Sequence, residues 1–158
     1  MTKLCVVVFL LLFTPTVFAQ DTYPQTEFFG AFSDSVHSGW LASLAYLPAD
    51  HFGLEGDISG HYGTNDHRHH FNFGPRVMVH TDDGKVGAFA HLLFGASHIS
   101  TGGPSDTSFS WVLGGAGEYN FGSSWSGRFQ VDLVRTHFFN AAQNTGRYSF
   151  GLVYHFGQ

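Results

Sequence analysis

Residues 147–158 read RYSFGLVYHFGQ. From Arg147 to Phe156 every second residue is large and apolar: Tyr148, Phe150, Leu152, Tyr154 and Phe156. Between them fall Arg147, Ser149, Gly151, Val153 and His155. Period two over such a run marks a strand with two unlike faces. Terminal residues fray unless something ties them down. An aromatic, amphipathic strand at the end of a chain therefore asks for a partner strand, and a barrel that closes last strand on first supplies one without leaving an open edge.

The composition agrees with an unusual solvent. Among 158 residues, aromatics make up 17%, with 18 Phe, and there are 20 Gly. Charged residues are only 12%, about half the share of a soluble domain. A water-exposed surface needs more charge than that. The net charge of −5 argues against nucleic acid as a partner.

The same alternation recurs along the chain, and eight strands are predicted. The first, around residues 25–32, has Phe on both faces and an ambiguous phase. The second covers 40–47. The third, 52–62, separates Leu54, Gly56, Ile58, Gly60 and Tyr62 from Glu55, Asp57, Ser59 and His61. The others are predicted at 70–80, 86–97, 108–119, 127–136 and 147–156. Short connections (48–51, 81–85, 120–125) alternate with longer polar ones (33–39, 63–69, 98–107, 137–146). No segment has the 3.6 period of an amphipathic helix.

This plan predicts an all-β fold: an eight-stranded, antiparallel, up-and-down transmembrane β-barrel with short periplasmic turns and longer extracellular loops. Strands of about 9–11 residues suit a tilted bilayer crossing, and a closed barrel satisfies its backbone internally. A soluble lipocalin-like barrel with an apolar cavity is the competing reading; the low charge and the aromatic end favour the membrane. The apolar faces should then meet lipid, Tyr148, Phe150, Leu152, Tyr154 and Phe156 of the closing strand among them, with Phe156 at the periplasmic interface. Arg135 is the charged exception on that face, near the extracellular end. Aromatic girdles are expected from Trp40, Phe52, Tyr62, Phe71, Tyr119, Phe121, Trp125, Phe138, Phe139, Tyr154 and Phe156.

The polar face carries Glu55, Asp57, His61, Arg76, Glu118, Arg128, Asp132 and Arg147, joined by Glu27. A barrel of eight strands is narrow enough for its side chains to fill it. Buried charges of both signs should pair, so the interior is expected to be a plugged polar network, not an open pore.

Residues 1–19 read as a secretory signal peptide: Lys3, an apolar run from Leu4 to Phe13, Pro15, and Val17-Phe18-Ala19 before the cleavage point. The barrel domain is then 20–158. Cys5, the only cysteine, leaves with the signal, so no disulfide framework is expected. This predicts an exported protein of the bacterial outer membrane.

The motifs GLEGDISGHYG, FNFGPRV, GAFAHLLFGAS, LGGAGEYNF, RFQVDLVRTHF and YSFGLVYHF, in this order over 21–158, make the chain resemble the small bacterial outer-membrane β-barrel family, the porin-like group related to the OmpA transmembrane domain. The resemblance implies a monomeric barrel among outer-membrane lipids, with the last strand read by the barrel assembly machinery. The family's terminal aromatic is here followed by Gly157 and Gln158. It implies no cell-wall tether, because the peptidoglycan-binding domain of OmpA has no counterpart.

Function follows less directly. The leading expectation is a non-enzymatic barrel serving envelope structure or surface contact through four extracellular loops, with no cofactor, no catalytic residue and no metal. One alternative is a lipid A-modifying enzyme using His61 with Glu55 or Asp57, since some barrels of this size act on lipid A. Another is a narrow passive channel. Eleven histidines include the cluster DHRHH, Asp66–His70. Imidazoles at that density can hold a transition metal, but His67 and His69 are predicted in a loop and are read as solvated. LGGAG (113–117) is glycine-rich inside a strand, where close packing or curvature explains it better than phosphate binding.

Overall fold

The computed structural model describes residues 24–156. The signal peptide predicted at 1–19, with Cys5, and Gly157-Gln158 lie outside them. Every element described is a strand: β1 (Gln25–Asp34), β2 (Ser38–Ala49), β3 (Phe52–Tyr62), β4 (Asp66–His80), β5 (Val86–Thr101), β6 (Ser105–Asn120), β7 (Trp125–Phe138) and β8 (Ala141–Phe156). They pair in sequence order, all antiparallel, and β8 pairs with β1 to close the barrel. Phe28 lies opposite Tyr154 and Thr26 opposite Phe156, so the aromatic tail is an internal strand of the sheet.

Alternation sets the two faces. The wall carries large exposed apolar residues on every strand, from Phe28 and Phe32 round to Phe150, Leu152 and Phe156. The lumen holds the buried polar and charged side chains. The ambiguous β1 is resolved here: Glu27, Phe29 and Ser33 point inward, Phe28 and Phe32 outward. Phe29 is inside because Arg128 needs it, the guanidinium carbon standing 4.5 Å from the ring centroid.

Two expectations are corrected. The longer polar connections are not loops. Residues predicted there continue the strands as two-stranded ribbons, leaving turns only at 35–37, 63–65, 102–104 and 139–140. Apolar alternation marks the part of a strand whose wall is apolar; beyond it, hydrogen-bonded pairing goes on with polar residues outside, which a hydrophobicity pattern cannot see. Gly102 and Asn140 supply the positive φ that such tight turns need, and Phe139 shares that conformation at φ 50°. Phe138 is the second correction. It is fully buried and faces the lumen, so it belongs to no girdle.

The lumen is also less uniformly polar than expected. Three apolar clusters interrupt it: Phe29, Leu41 and Val153; Leu47, Met78 and Phe89; Leu93, Val112 and Val134. In the turn before β5, Thr81 Oγ1 donates to Asp83 Oδ1 at 2.6 Å, and this bond holds the exposed carboxyl below its usual range.

Candidate functional site

The lumen is the densest assembly of chemistry in the molecule. Toward the end where β1 begins and β8 finishes, Glu27 accepts from Arg76 (2.8 Å) and Arg128 (2.9 Å), and Glu118 accepts from Arg128 (3.0 Å) and Arg76 (3.4 Å). Two acids and two guanidiniums from four different strands form one square. Phe89 backs it, with the Arg76 guanidinium carbon 3.8 Å from the ring centroid and that of Arg128 4.6 Å away. The cations thus gain π contact on one side and carboxylates on the other. Below the square, His155 Nδ1 lies 3.5 Å from Glu27, and its Nε2 meets Ser126.

Halfway up, His91 is the hub. Its Nδ1 is 3.0 Å from Glu55 Oε2 and its Nε2 3.0 Å from Asp132 Oδ1. Carboxylate oxygens only accept, so both ring nitrogens donate and the ring is positively charged. Glu55 also stands 4.0 Å from Arg128, which ties the hub to the square. Asp132 in turn receives Arg147 at 2.7 Å and the amide of Gln130 at 2.9 Å. Arg147 reaches across the lumen from β8 to Asp57 on β3 at 2.6 Å and to Ser59 at 3.2 Å. Asn72 links Asp57 to Ser110.

Gly114 makes the hub possible. A Cβ there would fall 1.9 Å from Asp132 Oδ1 and 2.7 Å from His91 Nε2. The glycine-rich LGGAG stretch therefore supplies a notch for an ion pair on β6. Gly95 answers a different need: its Cβ would sit 1.9 Å from the Phe71 carbonyl, so the backbones of β4 and β5 approach too closely there for any side chain.

Nearer the other mouth the lumen turns to hydroxyls and neutral-type contacts. Ser149 donates to Ser33, and Ser33 contacts His61 Nε2 at 3.0 Å. His70 Nδ1 meets Ser97. His61 and His70 stand edge to face, ring centroids 5.9 Å apart.

All eight residues predicted for the interior, and Glu27, are buried in the lumen. Seven of those eight are joined in the ion-pair network. His61 stands apart among the serines. It does not meet Glu55 or Asp57, which are taken by His91 and by Arg147 and Asn72, so the acid–base set expected of an enzyme is not assembled. Among the described residues no group of three or more His, Cys, Asp or Glu is placed to hold a metal. The DHRHH run is a strand, not a loop: His67 and His69 turn outward, Arg68 and His70 inward. His91 was missed as a member of the network. Its place on the inner face of β5 was legible, but its partners lie on β3 and β7, across the lumen. Tyr148, Phe150, Leu152 and Phe156 are exposed on the wall, and Tyr154 meets Trp125 (5.0 Å between ring centroids) and Phe156 (4.8 Å) edge to face at the terminal rim.

No protein-family profile matches the chain, and no curated protein matches it in sequence. Solved structures match it in fold. The N-terminal β-barrel domain of Pseudomonas aeruginosa OprF aligns with a TM-score of 0.60 and 12% identity, over 86% of this chain and 100% of that one. Neisserial surface protein A gives 0.57 and 13%, over 82% and 94%. The Yersinia pestis outer membrane protein Ail, in a phospholipid bilayer nanodisc, gives 0.51 and 11%, over 85% and 100%. The chain has the eight-stranded fold of these small outer-membrane barrels.

Proposed function

We infer that the chain is an integral outer-membrane barrel that acts through structure and surface contact, without catalysis. One observation carries the reading: the barrel is inside out. Large apolar side chains cover the wall while the ionised groups fill the lumen. Water would penalise such a wall, and a bilayer rewards it. The fold shared with outer-membrane barrels and the signal-like residues 1–19 support export to that membrane, with the last strand read by the assembly machinery. Closure of β8 on β1 leaves no edge and supports a monomer.

Arg147, bridged from β8 to β3 and β7, spans the lumen and supports a plugged interior over a conducting one. What remains for contact with the outside is the rim formed by four ribbon hairpins, which present Val36 and Phe139 at their tips.

Fractionation tests this. The protein is expected in the outer-membrane fraction, resistant to detergent, migrating faster on a gel when unheated than after boiling. Recovery as a soluble periplasmic protein would overturn the reading. Lipid A profiles unchanged by His61→Ala, and planar bilayers that stay closed, are expected for a plugged non-enzyme. Altered lipid A or steady conductance would contradict it.

A further inference from the structure

On the wall of β4–β7, just beyond the apolar band, one kind of polar group collects. His67 and His69 on β4, His98 on β5, and Arg135 and His137 on β7 all point outward and are exposed. His69 is opposite His98, while Arg135 is opposite Trp111, itself opposite Phe94, so Arg135 stands at the edge of the apolar rows and the histidines of β4 and β5 stand beyond them. His98 is exposed, and its Nδ1 contacts Thr107 Oγ1 of β6 at 2.7 Å. The Tyr62 ring on β3 lies 5.5 Å from His67 and 5.6 Å from His69.

The acids of the same ribbons are turned away from this strip. Asp66 is engaged by His37 at 2.6 Å and by Arg68 at 3.4 Å. Asp106 accepts the backbone N–H of Phe139 at 2.5 Å and of Thr107 at 2.8 Å. Signs are thus sorted by face: carboxylates bonded within the ribbons, imidazoles and a guanidinium outside. None of the five outward groups has a carboxylate partner among the described residues. Directly beneath the strip come Phe71, Phe94, Phe109 and Leu133, all exposed. On the opposite side of the barrel, the outward group at this level is Asp34, bonded to Ser38.

We propose that this strip binds the phosphate groups of anionic lipid in the outer leaflet, whose acyl chains lie on the apolar band below. The proposal rests on the membrane reading above. On the outer face His69 follows Phe71, Arg135 follows Leu133, and His98 follows Phe94 after Ala96, which places N–H donors at the outer edge of the apolar band on the β4–β7 side, the level at which lipid phosphates begin. An unpaired cation such as Arg135 near an anionic headgroup is worth about a fivefold preference, and the exposed imidazoles offer further N–H donors to phosphate oxygens.

The test uses the full chain folded into phosphatidylcholine vesicles, probed with spin-labelled phosphatidic acid and, separately, spin-labelled phosphatidylcholine. The fraction of label immobilised on the barrel reports relative association. Phosphatidic acid is expected to be favoured roughly fivefold or more. The combined variant H67Q/H69Q/H98Q/R135Q/H137Q should fall to parity, and Lys85→Gln on the far rim should change nothing. If the combined variant does not fold, Arg135→Gln alone should still lower the preference about fivefold. Equal association in the unaltered protein, or a preference that survives in these variants, overturns the strip. Inorganic phosphate abolishing the preference, beyond sodium chloride at equal ionic strength, overturns the lipid assignment in favour of a small anion. A protein that immobilises neither lipid fails the membrane reading itself, a distinct result from insertion without preference.

Discussion

Arg147 and Tyr148 are neighbours on β8, yet the first is 1% exposed and the second 55%. Each is typical of its side of the sheet. The lumen is specific: Arg147 meets Asp132, Asp57 and Ser59, and no other side chain would meet all three. The wall is generic: Tyr148, Phe150 and Leu152 need only be apolar. The difference teaches where this fold tolerates change. In the lumen, identity matters because each removed partner strands a buried charge. On the wall, only polarity matters.

Breaking the lumen should cost most. Arg147→Ala leaves Asp132 and Asp57 buried without their cation, and is expected to destabilise the barrel by about 3–5 kcal/mol, read as a shift in urea unfolding from vesicles. The wall can be broken as well, by polarity: Leu152→Lys puts a charge in the apolar band and should cost about 2–4 kcal/mol near the midplane, measured the same way. A loss much smaller than that would mean the wall at Leu152 is not in lipid.

Gly114→Ala should cost about 1–3 kcal/mol, because its methyl overlaps the His91–Asp132 pair. Combined with Asp132→Ala, which empties that space, the two penalties should be clearly sub-additive; simple additivity would show that the notch serves something else. The smallest effect belongs to Phe150→Leu on the wall, expected below about 1.5 kcal/mol by the same unfolding curves. A Phe150→Leu loss equal to that of Arg147→Ala would erase the contrast between the two faces.

Much of this architecture was legible in the alternation. In β3, β7 and β8 the phase of Glu55, Asp57, Arg128, Asp132 and Arg147 follows from period two alone. β1 was not, because Phe29 is apolar yet inward, recruited as a π surface for Arg128. The ribbons at 98–107 and 137–146 were not, because pairing outside the apolar band leaves no hydrophobic trace. Phe138 was misread for the related reason that, near a strand end, its inward phase is hidden by the adjacent Phe139. The hub at His91 depends on contacts across the lumen, and the role of Gly114 follows only once that hub is placed.

Lipid contact along β8 tests the central claim most directly. In nanodiscs of isotope-labelled protein, cross-relaxation from lipid acyl protons should reach Tyr148, Phe150, Leu152, Tyr154 and Phe156 and skip Ser149 and Val153. Acyl contacts at Ser149 and Val153 with none at the even-numbered positions, or contacts without alternation, would contradict an apolar wall around a closed, ion-paired lumen.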